Sequence, residues 1–296
     1  MTKTLKRIFW LGSSIGALAF LAYGASVSYK ELSKHQYTID YRYLLASIAA
    51  YSASLIILVV NWDSIVRSLG VSAGFKRNVK LYCFSNLSKQ LPTMLWFIGT
   101  RVLLYEREGV AKAITSTAIL LELTLVAFSN LVVCVAVIPA LPAPQHAQMV
   151  LLLLVVPPLL FIVARPQIAI RLMNRLLRRL GRNPLTIPLG WRNMLLWSTL
   201  YSFTWGVGGL FLYLLALAVY PAAIHYPLEI TAAWVLSGLA SQLRVILPIG
   251  IGWREVTLVY LLSLFMPLPS AVVIAILSKI WLALNQSLWF LVSVLL

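Results

Sequence analysis

Acidic residues are scarce: eight Asp and Glu stand against 24 Lys and Arg in 296 residues. Metal or general-base chemistry on a lipid-linked sugar would want clustered carboxylates near the membrane surface. Asp63, Glu106, Glu108, Glu122 and Glu255 form no such motif. Only two cysteines occur, Cys83 and Cys134, both in apolar surroundings and without CxxC or Cys/His spacing. They read as packing residues, with a disulfide as the alternative. The three histidines, His35, His146 and His225, are isolated from one another. A phosphate-cradling P-loop is also missing, so ATP is not an expected driver. No cofactor or metal is expected, and the basic excess does not call for nucleic acid because membrane topology accounts for it.

Apolar sequence is abundant instead, at 61% of the chain. A soluble domain cannot hide that much apolar surface, so the bilayer must be its solvent. Crossing ~30 Å of hydrocarbon takes about 20 residues. Apolar runs of that kind lie near Ile8–Ser26, Tyr43–Val60, Ala113–Ile138, Gln148–Ala164, Met194–Val219 and Ser270–Leu296. The first follows Lys3, Lys6 and Arg7 and is too long for a typical signal-peptide core, so a signal-anchor is expected. Cleavage near Ala25 is the alternative. The fold class is therefore an all-α polytopic membrane protein, a single integral membrane domain over 1–296.

Charge placement sets the orientation. Arg165, Arg171, Arg175, Arg178, Arg179, Arg182 and Arg192 cluster with no acid among them. Segment 61–80 carries Arg67, Lys76, Arg77 and Lys80 against Asp63 alone. The connections Pro139–Ala147, Tyr220–Pro227 and Met266–Pro269 hold no Lys or Arg. Positive segments stay inside, which puts the N-terminus in the cytoplasm of a cell-membrane protein.

Two broken segments, about 150 positions apart, share a phrase: Ser85-Asn86-Leu87-Ser88-Lys89-Gln90-Leu91-Pro92 and Ser237-Gly238-Leu239-Ala240-Ser241-Gln242-Leu243-Arg244. Segment 82–104 lies between cytoplasmic stretches and should turn near Pro92. The second, about 228–265, lies between outside stretches and should turn near Pro248, Gly250 and Gly252. Two re-entrant hairpins entering from opposite faces make an inverted repeat, about 61–138 and 220–296. Their turns must be buried or line a wet cavity, because lipid cannot satisfy freed backbone groups. Ser85, Asn86, Gln90, Ser241 and Gln242 suit that task, either as helix-to-helix glue or as headgroup contacts. Both hairpins are expected to meet one central polar cavity.

Glu122 and Lys279 sit at corresponding depths in the spans after each hairpin, where an unpaired charge costs ~2.5–3.5 kcal/mol. They are expected to pair with each other, structurally or in headgroup or proton binding. Arg101, Arg244 and Arg254, with Glu255, are candidates to hold a phosphate, since the guanidinium fork matches its oxygens. Snorkelling to the interface competes for each arginine. In 166–180, Ile168, Leu172, Met173, Leu176, Leu177 and Leu180 recur at helical spacing opposite Arg171, Arg175, Arg178 and Arg179. That reads as an amphipathic helix on the inner leaflet, attracting anionic lipid or anchoring topology. Gly206, Gly208 and Gly209 should permit close helix approach.

These residues carry a resemblance. Leu91-Pro92 with Arg101, Glu122 in the next span, and Pro248-Ile249-Gly250-Ile251-Gly252-Trp253-Arg254-Glu255 followed by Lys279 are similar to the flippase-like transmembrane family typified by the membrane half of bacterial lysylphosphatidylglycerol synthases. The resemblance covers roughly residues 5–296. Ile249 stands where a glycine is commoner, and the glycines usual after Pro92 are replaced by Thr93-Met94-Leu95-Trp96; these departures bear on substrate identity. The resemblance implies movement of an aminoacylated or glycosylated lipid between leaflets. The chain ends in its last apolar segment, leaving no room for an aminoacyl-transferase domain, so no enzyme activity is expected. A membrane subunit or scaffold serving a lipid-modifying enzyme is the other class, docked through the basic inner face.

Overall fold

A computed structural model describes residues 39–71, 74–88, 94–164, 175, 190–242 and 252–295. The described residues are helical, with no strand among them. Four helices are long and apolar enough to cross a membrane: α1 (Tyr41–Ser68), α4 (Lys112–Val137), α6 (Trp191–Val219) and α9 (Leu268–Leu295). At 1.5 Å per residue even the 26-residue α4 reaches about 39 Å. The protein is thus a multi-pass membrane protein. Of the six expected spans, four appear as these helices, and the run at Ile8–Ser26 lies outside the described residues. The remaining one corresponds to α5 (Gln145–Ala164), whose described apolar stretch, Gln145–Pro157, is shorter than a span.

The other helices are too short to cross alone. They are α2 (Phe75–Leu87), α3 (Met94–Arg107), α7 (Pro227–Gln242) and α8 (Trp253–Leu262), of 13, 14, 16 and 10 residues. The longest is about 24 Å, below the ~30 Å of a hydrocarbon core. They pack as two pairs, α2 with α3 and α7 with α8. In the first pair the outer ends meet through the Arg77–Glu108 ion pair, and Ser88 donates to Thr100 Oγ1 at 3.1 Å near the inner end. In the second, the Tyr226 and Phe265 rings lie 5.2 Å apart at the outer ends. Each pair is therefore a helical hairpin.

Local chemistry sets the helix ends. Asp40 accepts from the Arg42 backbone N–H at 2.9 Å and caps α1. At the far end of α1, Gly70 has φ 85°, and Gly109 after α3 has φ 79°. In both places the next valine N–H returns to the helix, Val71 to Val66 O and Val110 to Tyr105 O, each within 3.1 Å. A left-handed residue is needed there, which favours glycine. α1 also runs past the apolar stretch that ends at Val60. Asn61, Trp62, Ile65 and Val66 are buried and continue the helix into protein rather than lipid.

The chain clusters into two compact units. Of the described residues, one gathers those within Met1–Ala53, Val133–Leu151 and Trp205–Leu282, and the other those within Ser54–Val132, Leu152–Thr204 and Ala283–Leu296. Each contains one hairpin. The unit of the first hairpin centres on Trp62, Tyr82, Phe97, Tyr105, Trp197 and Tyr201, all at most 1% exposed. In the other, Trp234 packs edge-on against Phe211 at 5.5 Å, beside buried Val235, Val259 and Leu262. Leu45, Leu153, Leu154, Phe203 and Leu291 are exposed. This is the expected surface where lipid tails are as apolar as leucine.

Candidate functional site

The first hairpin converges on a guanidinium. Asn78, Tyr82, Ser85 and Asn86 recur at three- and four-residue spacing on α2, and all are buried. Phe97, Arg101 and Tyr105 follow at four-residue steps on α3 and are also buried. Those spacings line each set along one helix face. Arg101 Nε donates to Ser85 Oγ at 2.9 Å, Nη2 to Asn86 Oδ1 at 3.3 Å, and Nη1 to Glu122 of α4. Tyr82 donates a second hydrogen bond to Glu122, at 3.1 Å. The Trp62, Tyr82 and Phe97 rings lie 4.3, 4.3 and 4.4 Å from the Arg101 carbon, caging the cation in aromatic faces. The Arg101 and Glu122 side chains are 0% and 4% exposed. A buried pair offsets its desolvation only when such partners surround it.

A polar chain supports the cage. Trp62 Nε1 donates to Tyr105 Oη at 2.7 Å, and Tyr105 donates to Asn78 Oδ1 at 2.6 Å. Asn78 in turn donates to Asp63, whose other oxygen pairs with Arg67 at 2.7 Å. Tyr105 thus fixes the plane of the indole beneath Arg101. Tyr105→Phe leaves a buried indole N–H and an amide oxygen unpaired, an expected loss of about 1–3 kcal/mol. Thermal unfolding in detergent checks it, and an unchanged midpoint would remove Tyr105 from the support.

The second hairpin carries a different arrangement. Glu255 of α8 pairs with Lys279 of α9 at 3.1 Å, with side chains 13% and 50% exposed. The Arg254 carbon lies 4.1 Å over the Trp234 ring. Gly252 begins α8 in a left-handed conformation, φ 92°. Both amide atoms of Gln242 are buried with no hydrogen-bond partner among the described residues. Ser241 donates to Gly238 O of its own helix at 2.7 Å.

The expected Glu122–Lys279 pair does not form. Glu122 takes Arg101 and Tyr82, and Lys279 takes Glu255. Each charge is met by the hairpin preceding its own helix, the nearest source of an opposite charge. The signs are inverted between the two places: cation on the hairpin and anion on the long helix in the first, the reverse in the second. Arg101 does not snorkel either, being wholly buried. Gln90, Pro92, Arg244, Pro248 and Gly250 lie outside the described residues, as do Arg171, Arg178 and Arg179. Arg175 is exposed. Both cysteines are buried and neither is in a disulfide among the described residues. Among the described residues no three His, Cys, Asp or Glu side chains gather as a metal site.

Trp62, Asn78, Tyr82, Phe97 and Tyr105 were not among the sequence candidates. The signal for Asn78, Tyr82, Phe97 and Tyr105 was the three- and four-residue recurrence of aromatic and polar residues around Ser85 and Arg101, a pattern hidden within apolar sequence; Trp62 had no such signal.

Comparison with curated proteins gives no match. The family model of the lysylphosphatidylglycerol synthase TM region matches residues 9–286, nearly the whole chain and both hairpins with their ion pairs. The chain belongs to that family.

Proposed function

We propose that this chain is a non-enzymatic lipid translocator of the cell membrane, N-terminus inside, moving a polar-headgroup lipid between leaflets. The observation that carries this reading is the pair of hairpins, each too short to span and each tied by an ion pair to the long helix after it. A short hairpin at membrane depth brings helix ends and polar side chains to where a headgroup must pass. Entry of the two hairpins from opposite faces, as the basic segments indicate, makes the halves an inverted repeat suited to alternating access. The family supports a lipid-related role in the membrane.

The test is a leaflet-access assay in vesicles carrying fluorescent phosphatidylglycerol, compared at equal amounts of folded protein. Wild type should accelerate loss of inner-leaflet protection, and Glu122→Gln, which loosens the tie of the first hairpin to its long helix, and Arg254→Gln, which removes a cation from the second hairpin, should each slow it about tenfold. No acceleration by wild type, or wild-type rates in both variants, overturns the reading.

A further inference from the structure

Lys279 lies well inside a helix that is long and apolar enough to cross a membrane. It is the twelfth residue of the 28-residue α9, with roughly 17 Å of helix before it and 24 Å after. Its side chain is nevertheless 50% exposed, beside exposed Ile280 and Leu284 on the same helix. An ammonium carries three donors. Glu255 takes one, at 3.1 Å, and is the lysine's only ion-pair partner among the described residues. In hydrocarbon the other two donors would be costly to leave unmet.

The first hairpin shows how a closed pair looks. Arg101 has acceptors on Ser85, Asn86 and Glu122, aromatic faces around it and no exposed surface. The Arg101–Glu122 pair sums to zero charge. Arg254, Glu255 and Lys279 sum to +1, with Arg254 adjacent in sequence and stacked on Trp234. A net positive charge with two ammonium donors unmet among the described residues matches a monoanionic phosphodiester, which presents two non-bridging oxygens.

We propose that the open side of Lys279 docks the phosphate oxyanion of an anionic lipid headgroup, with Glu255 holding the ammonium in place and competing for it. This deepens the translocator reading and rests on it for its physiological meaning. The first pair, closed on every side, is a permanent tie; the second is the contact that exchanges.

Binding to the purified full chain in detergent tests this, with short-chain phosphatidylglycerol, phosphatidylcholine, diacylglycerol and inorganic phosphate as separate probes. Phosphatidylglycerol should raise the unfolding midpoint saturably, phosphatidylcholine less, and diacylglycerol not at all. Lys279→Met should weaken phosphatidylglycerol binding at least ~10-fold, while Lys279→Arg retains it. Glu255→Gln should tighten binding about fivefold, the scale of a half-exposed ion pair. Wild-type binding by Lys279→Met, or weaker binding by Glu255→Gln, overturns the assignment. A phosphate-induced shift equal to that of phosphatidylglycerol would identify free phosphate rather than lipid and overturn the lipid source. Binding lost in Lys279→Met alongside no wild-type lipid movement would uphold docking and sink translocation. Lipid movement with Lys279-independent binding would do the opposite.

Discussion

Arg101→Met should destabilise the protein by about 3–5 kcal/mol, because it leaves the Glu122 carboxylate buried without its cation. Met fills much of the aromatic cage, so the cost is electrostatic rather than a cavity. Arg101→Lys should recover only part, since a single ammonium cannot reach Ser85, Asn86 and Glu122 with the planar fork that serves all three. Glu122→Gln should be milder than Arg101→Met, because the cation keeps its two hydroxyl and amide acceptors and three rings. Arg101→Met with Glu122→Leu should lie closer to wild type than Arg101→Met alone, as no buried charge remains. Denaturant titrations in micelles read these differences. A single Arg101→Met loss below about 1 kcal/mol, the range of an exposed pair, would mean that water reaches the site.

The long helices were legible because apolar length is a direct demand of the bilayer. The runs at Tyr43–Val60, Ala113–Ile138, Met194–Val219 and Ser270–Leu296 match α1, α4, α6 and α9, with α1 longer by eight residues at its end. Those eight were missed because Asn61, Asp63, Ser64 and Arg67 lower hydropathy while the helix carries on into a protein-lined interior. Arg101 and Glu122 were legible as unusual charges; their partnership was not. Depth along a span follows from counting residues, whereas the partner of a charge depends on which helix packs beside it. Corresponding positions in two halves suggested Glu122 with Lys279, and proximity chose Arg101 and Glu255 instead. The Trp62 ring under Arg101 comes from a helix 39 positions earlier, and no local spacing announces it.

Gly208→Ala should destabilise the protein by roughly 1–3 kcal/mol, as overpacking does. A Cβ at Gly208 of α6 would stand 2.3 Å from Trp234 Nε1 and 2.8 Å from Cε2. The indole is rigid and confined, with Phe211 at 5.5 Å and the Arg254 guanidinium at 4.1 Å, so it cannot yield without disturbing the cation. Gly209→Ala should cost a comparable or smaller amount: its Cβ would meet Thr231 Cγ2 at 2.4 Å, and the threonine must turn away from its bond to Pro227 O. Gly206 separates the effect of packing from that of composition. Sequence placed it with the other two as a close-approach glycine, but nothing lies within 4 Å of a Cβ there. Gly206→Ala should therefore stabilise α6 by about 0.5–1 kcal/mol through helix propensity alone. Unfolding midpoints of the three variants should split in sign, Gly206→Ala above wild type and Gly208→Ala well below. Three equal shifts would mean that α6 does not approach α7 as closely as the Trp234 contact requires. Because Trp234 carries Arg254, Gly208→Ala should also move the headgroup-binding response of the second hairpin, whereas Gly206→Ala should leave it alone.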